Sequence, residues 1–288
     1  MNPATPVPVD STTALLEDFS LEMTGKDIPA LLEARQSIPQ GTRVNVTFLG
    51  NEDPAVRVAA AKTLREAGFV PVPHISARRL ASRESLAEFL DALRAAGAVE
   101  EVFIVGGDPA VPEGPFADSL AVIRSGLLRR HGVRRVGIAG YPEGHPRISE
   151  PDLWRAVADK HAALDAQGLA GDLITQFGFD VDPVLAWVEQ LRSRGVDSTV
   201  RIGVPGPVGV KRLMSYASRF GVGTSASIAR KYGFSITNLL GTAGPDRFLR
   251  ELAARRRPAD HGDIKIHFYT FGGLRTTSEW ITRFRKEG

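Results

Sequence analysis

Arg134-Arg-Val-Gly-Ile-Ala-Gly140 runs directly into Tyr141-Pro-Glu-Gly-His-Pro146. The first half is apolar and short, the signature of a buried strand. The second half is a turn rich in Pro and Gly. It sets a Tyr, a Glu and a His side by side where a parallel strand would end. In α/β proteins that end carries the chemistry. A second run of the same kind, Leu173-Ile-Thr-Gln-Phe-Gly-Phe179, places an amide inside an apolar strand.

Outward from these two segments, a strand-then-helix unit recurs about every 30–35 residues, the size of a βα repeat. The expected strands are Phe19–Met23, Arg43–Leu49, Val70–Ser76, Glu101–Gly107, Arg134–Tyr141, Leu173–Phe179, Thr199–Pro205 and Ile264–Phe271. Most are near-continuous in Val, Ile, Phe and Leu, as suits parallel strands covered on both faces. Helical patterns fall between them: Pro54–Ala67, Ser82–Ala96, Phe116–His131, Glu150–Gln167, Asp182–Arg194, Val210–Phe220 and Thr277–Arg285. Asp53 and Ser82 stand as N-caps, and Gly68 and Gly97 as stops. An extra helical segment, Ser225–Tyr232 and Asp246–Arg257, precedes the last strand. Eight such units predict an α/β fold, a (β/α)8 TIM barrel in a single domain over residues 15–288, behind a disordered tail at 1–14. The competing doubly wound sheet carries a Gly-rich turn after its first strand. Here that turn is Thr24-Gly25-Lys26-Asp27, with one glycine.

Composition narrows the function. The chain has 288 residues, 36 Lys and Arg against 33 Asp and Glu, and no cysteine. Disulfides, Cys-ligated zinc, iron–sulfur clusters and a thiol nucleophile are thereby excluded. A reducing, cytoplasmic setting is the expectation. The basic clusters Arg129-Arg130-His131 with Arg134-Arg135, and Arg255-Arg256-Arg257, fall at helix ends where cations suit the dipole. No aromatic residues interleave them, so no nucleic-acid partner is expected. No apolar run reaches the roughly 18 residues of a membrane span. No second His falls at metal-ligand spacing from His74, so no metal site is expected.

In a barrel, polar residues at strand C-termini face the active site. This picks out Glu22, Thr47, His74, Gly106-Gly107-Asp108, Tyr141, Glu143, His145, Thr175, Gln176, Val204-Pro-Gly-Pro207 and His267-Phe-Tyr-Thr270. Glu22 is a carboxylate inside an apolar strand. Desolvation there would raise its pKa and suit it to deliver a proton near neutrality; the alternative is a structural salt bridge to a neighbouring strand. Thr47 alone reads as packing, His74 as a satisfied core or surface histidine, and Gly-Gly-Asp-Pro as a simple turn. Seven strands with polar ends together say more than any one of them.

The ordered set Ser20-Leu-Glu22, Val46-Thr47, His74, Gly107-Asp108, Tyr141-Pro-Glu-Gly-His-Pro146, Ile174-Thr-Gln-Phe-Gly-Phe-Asp180, Val204-Pro-Gly206 and His267-Phe-Tyr-Thr270 resembles the methylenetetrahydrofolate reductases. The resemblance implies a (β/α)8 barrel that reduces 5,10-methylenetetrahydrofolate to 5-methyltetrahydrofolate at the expense of NAD(P)H, in one-carbon metabolism that feeds methionine biosynthesis. By position, Glu22 matches the proton donor, Asp108 the aspartate beside the reaction centre and Gln176 the glutamine that grips the pterin. Tyr216 and Arg212 fall near substrate-binding positions. Thr47, His74, Gly106, Gly107, Tyr141, His145 and Lys160 match positions around the cofactor. The departures matter as much. The usual Arg-Gly-Asp reads Gly106-Gly107-Asp108, which removes a cation. Gly178 replaces an aromatic, and Phe271-Gly272-Gly273 lacks the usual Asn. The pattern resembles the flavin-independent actinobacterial branch, which implies NADH as direct hydride donor; the alternatives are an FAD-dependent enzyme and a non-catalytic folate- or nucleotide-binding barrel. The expected partner is a small tetrahydrofolate derivative, and homo-oligomers are common among such barrels.

Overall fold

The structure is a computed structural model that describes residues 9–50, 52–219 and 242–287. Seven parallel strands run in sequence: β1 (Ser20–Thr24), β2 (Arg43–Thr47), β3 (Val70–Ser76), β4 (Glu101–Val105), β5 (Arg135–Gly140), β6 (Ala170–Thr175) and β7 (Val200–Pro205). A short antiparallel pair follows, β8 (Val208–Gly209) with β9 (Thr242–Ala243). The last barrel strand, β10 (Ile264–Tyr269), closes the ring between β7 and β1. The expected TIM barrel is therefore present. Strand ends agree within a few residues, except that β6 starts earlier and stops at Thr175, which leaves Gln176 just past its C-terminus.

The described helices are α1 (Val9–Leu15), α2 (Ile28–Ala34), α3 (Pro54–Glu66), α4 (Arg83–Ala95), α5 (Ser119–Arg124), α6 (Leu127–Arg130), α7 (Glu150–Asp165), α8 (Val181–Ser193), α9 (Val210–Arg219), α10 (Asp246–Arg255), α11 (Pro258–His261) and α12 (Leu274–Glu287). The caps at Asp53 and Ser82 act as expected, each side chain accepting a backbone N–H of the first turn. Three expectations change. The tail expected at 1–14 is helical from Val9, and Leu15 and Leu16 are buried. The helix expected over Phe116–His131 is broken in two, because Gly126 adopts a left-handed φ of 74°. Thr24-Gly25-Lys26-Asp27 is a capped 3-10 turn that leads into α2, a helix the sequence pattern had not revealed. The extra segment before the last strand is present as α10 and α11, whereas Ser225–Tyr232 lies outside the described residues.

Period-two alternation fills the barrel in layers. At the floor, six charges form a closed ring of ion pairs. Arg43 holds Asp18 at 2.7 Å and Glu101 at 2.9 Å. Arg135 reaches Glu101 at 3.8 Å and Asp172 at 2.6 Å. Arg201 returns from Asp172 at 3.3 Å to Asp18 at 3.0 Å. Above the ring lies a small apolar cluster of Val72, Phe103 and Ile174. Gly137 makes room for it, since a Cβ there would stand 2.7 Å from the Phe103 ring. The next inward positions belong to the site.

Candidate active site

The two inward residues of β1, Ser20 and Glu22, lie in register with His267 and Tyr269 of β10. Glu22 therefore projects into the barrel just below its C-terminal mouth, with 19% of its side chain exposed. His267 Nε2 stands 3.3 Å from Glu22 Oε2, and Ser20 Oγ stands 2.9 Å from His267 Nδ1. Thr270 donates its hydroxyl to the Glu22 backbone carbonyl at 2.5 Å and so pins β1 to the end of β10. The Thr47 hydroxyl faces the same carboxylate without a hydrogen bond of good geometry.

The electrostatics correct one expectation. Burial is the largest influence on Glu22 and would raise its pKa. The His267 hydrogen bond, the nearby His74 and His267 rings and the Thr47 hydroxyl together outweigh it, and the carboxyl ends below its ordinary value. In the free protein at neutral pH Glu22 is an anion. His74 goes the other way for a histidine. Burial is its main influence, His267 and Arg57 add to it against the pull of Glu22, and its pKa falls to about 4. It is neutral near pH 7, and its Nε2 lies 3.3 Å from Asn45 Nδ2.

A cleft of about 1540 Å3 opens above Glu22. Glu22, Thr47, Gly106, Gly107, Asp108, Tyr141, His145, Lys160, Gln176, Arg212 and Tyr216 all line it. Residues from five strand ends and from α7 and α9 thus converge on one space. His74 does not line it. It is buried beneath, its ring packed 4.7 Å from that of Phe103. Asp108 sits at the rim with 79% of its side chain exposed, 3.3 Å from Arg79 Nη2. Gln176 accepts the Phe177 N–H through its side-chain oxygen. Its amide nitrogen has no partner among the described residues. His145 accepts the Arg147 N–H within its own turn, its ring edge-on to Tyr141. Lys160 makes no ion pair within 4.0 Å among the described residues, and burial lowers its pKa against the field of Asp118. Tyr216 stacks on Phe271 with ring centroids 4.0 Å apart.

The sequence placed the His267-Phe-Tyr-Thr270 run among the polar strand ends that face the site but gave neither His267 nor Tyr269 a role of its own. A polar residue in an apolar strand singled out Glu22, and the same signal was present at His267. Tyr269 is half-buried and lines the cleft, donates to the Thr175 carbonyl at 3.0 Å, and its pKa is raised well above its ordinary value by burial, with smaller effects of Glu22 and Tyr141. Phe177 packs against it at 5.5 Å. Among the described residues no cluster of His, Asp and Glu is arranged to hold a metal ion, and no helix is long and apolar enough to cross a membrane.

Comparison with known proteins agrees with this geometry. The methylenetetrahydrofolate reductase family model matches residues 24–225. A 5,10-methylenetetrahydrofolate reductase of Pectobacterium carotovorum subsp. carotovorum is 31% identical over 179 residues, 61% of this chain and 57% of that protein. Methylenetetrahydrofolate reductase 2 of Saccharomyces cerevisiae is 34% identical over 83 residues, 29% of this chain and 12% of that protein. The matches thus span little more than half of one relative and far less of the other. Among solved structures, a Clostridium thermocellum protein described as binding two copies of 5-methyl-5,6,7,8-tetrahydrofolic acid superposes with a TM-score of 0.63 at 10% identity, over 98% of both chains. A dihydropteroate synthase from Thermus thermophilus superposes with a TM-score of 0.50 at 14% identity, over 93% of this chain and 92% of that one. At such identities the likeness concerns the barrel alone. The family match covers well over half of the sequence, including Thr47, His74, Tyr141 and Gln176, and the chain belongs to the methylenetetrahydrofolate reductase family.

Proposed function

We propose that this protein reduces 5,10-methylenetetrahydrofolate to 5-methyltetrahydrofolate, with hydride passing directly from NADH. The observation that carries the reading is Glu22, a carboxylate at the foot of the cleft with a histidine on its Oε2. Opening the five-membered ring of the substrate to its N5-iminium requires a proton on N10, and a carboxylic acid in a partly dry mouth is suited to give it. Asp108 at the rim places a negative charge beside the cation that develops. Gln176, whose amide nitrogen has no partner among the described residues, offers a hydrogen bond to the pterin edge. Tyr216 and Arg212 of α9 border the space for the rest of the folate. The nicotinamide C4 must come within roughly 3–3.5 Å of the iminium carbon. The cleft exceeds the roughly 300–1000 Å3 of a pocket for one small ligand, which leaves room for both substrates.

The flavin that relatives of this kind use fits these residues poorly. Position 106 is a glycine with open space where its Cβ would stand, so this position supplies no cation of its own. Arg79 is nearby but already engaged with Asp108 and Glu113. His74 is turned into the barrel. One observation favours the second reading, an FAD enzyme: Thr47, Tyr141, His145 and Lys160 border the same cleft, and Lys160 is half-buried without an ion-pair partner among the described residues.

The test is an assay of NADH loss with methylenetetrahydrofolate, run beside the visible spectrum of the freshly purified protein. The proposal expects substrate-dependent NADH consumption and no band at about 450 nm. Turnover with a retained band supports the FAD reading. Tight folate or NADH binding with no turnover points to a binding barrel.

A further inference from the structure

His267 is fully buried on β10 and engaged at both ring nitrogens, with Ser20 Oγ at 2.9 Å and Glu22 Oε2 at 3.3 Å. Both partners come from β1. Ser20 lies opposite His267 in the sheet register and Glu22 opposite Tyr269, so the two inward residues of β1 bracket the ring. One hydrogen bond would be enough to orient an imidazole. Two bonds to the strand that carries the acid build a chain, Ser20–His267–Glu22.

The chain meets a need of the proposed reaction. Reduction of the methylene bridge by NADH consumes one hydride and one proton, while Glu22 in the free protein is an anion. The groups that face its carboxylate are few. His74 of β3 is neutral near pH 7 and has no proton to lend, with the Arg57 guanidinium of α3 opposing its protonation. The Thr47 hydroxyl of β2 is a donor but too weak an acid. Tyr269 of β10 holds its proton and donates it to the Thr175 carbonyl. His267 alone among these sets a ring nitrogen against Oε2, at 3.3 Å.

We propose that His267 is a positioning residue that acts through Glu22, sharing with it the proton the reaction consumes. When the pair holds one extra proton, the Nε2–H of the imidazolium donates to Oε2 and Ser20 Oγ accepts from Nδ1–H. The Nε2–H bond then breaks as an O–H bond forms on Glu22. The acid passes that proton to the substrate nitrogen, whose lone pair forms the new N–H bond. Neutral imidazole and carboxylate remain, the hydride arrives separately from NADH, and a new proton enters from the mouth once product has left. In the neutral pair the ring is a tautomer with Nε2–H on Glu22 and Nδ1 accepting from Ser20.

This inference rests on Glu22 as the proton donor, and two measurements separate the two claims. In single-turnover stopped flow, His267→Gln keeps a donor toward Oε2 but cannot carry the extra proton. Its hydride-transfer rate is expected about tenfold lower at pH 7.5, with the alkaline limb displaced down by about one pH unit or more and near-wild-type rates recovered at the acid end, NADH and folate affinities being unchanged within about threefold. An unshifted profile, whatever the absolute rate, overturns the proposal. Independently of turnover, NMR of wild-type protein labelled with 15N-histidine is expected to show a protected imidazole N–H at Nε2 that moves upfield in Glu22→Gln. Absence of that resonance, or its indifference to Glu22→Gln, also overturns it. Loss of wild-type turnover with this resonance intact would instead count against the functional reading alone.

Discussion

Glu22 shows how neighbours can reverse the effect of burial. A lone carboxylic acid in this mouth would be weaker than in water, yet His267 and the polar strand ends hold it ionised. Replacing it by Gln keeps size and removes the proton. Glu22→Gln is expected to slow hydride transfer by about a hundred- to ten-thousand-fold, with NADH affinity measured by fluorescence titration changed less than about threefold. Wild-type-like rates in that variant would remove Glu22 from the chemistry. His74 yields a prediction for stability. Its pKa falls from 6.5 unfolded to about 4 folded. Between those values the unfolded chain binds the extra proton, so stability rises with pH across the window and is lost as pH falls through it. A gap of about 2.5 units at 1.36 kcal/mol each gives a loss of up to about 3 kcal/mol. Urea unfolding at pH 7 and pH 4.5 should show this loss, and His74→Gln should flatten it; an equally steep dependence in the variant would contradict the assignment. At this scale the sequence was readable where a polar residue interrupted an apolar run. Glu22 and Gln176 stood out for that reason. His267 carried the same mark, but its importance lies in contacts with Ser20 and Glu22 about 250 positions away, which no local pattern encodes.

The strands were legible because each is short and largely apolar, and most run into a Gly or Pro. The helices were legible where they had caps, as at Asp53 and Ser82. Where a helix depends on tertiary packing the pattern was silent. Helix α2 follows a 3-10 turn and buries just Leu31 and Ala34, too few apolar positions to show a period. The break between α5 and α6 was written in Gly126, yet a glycine inside a helical pattern is ambiguous until its φ is known. In the proposed reaction the loop after β4 is the element that would set Asp108 beside the substrate. Gly107 has φ +94°, and a Cβ there would lie 2.2 Å from Ser76 Oγ. Gly107→Ala is therefore expected to cost about 1–2 kcal/mol of stability and to displace Asp108. Its folate KM should rise severalfold while the protein still melts cooperatively in calorimetry. An unchanged melting temperature together with an unchanged KM would show that the loop does not need this conformation.

Across the whole molecule, the barrel separates stability from chemistry by end. The ring of Asp18, Arg43, Glu101, Arg135, Asp172 and Arg201 plugs the floor, while Glu22 and the cleft occupy the mouth. Asp172 and Arg201 are 6% and 4% exposed, so removing one charge strands its partners in a dry setting. Asp172→Asn is expected to destabilise by about 3 kcal/mol in urea titrations, with kcat at low temperature within about twofold of wild type. Loss of activity without loss of stability would put the ring in the chemistry instead. None of these pairings was visible in the sequence, since the partners lie far apart along the chain and meet only when the barrel closes. The overall claim, that hydride passes straight from nicotinamide to folate in this mouth, is tested most directly with NADH deuterated at C4 on the transferred face. Direct transfer predicts that the deuterium is retained in the methyl group of 5-methyltetrahydrofolate in full. Passage through a flavin would let it exchange with water, and a product methyl group free of deuterium would contradict the account.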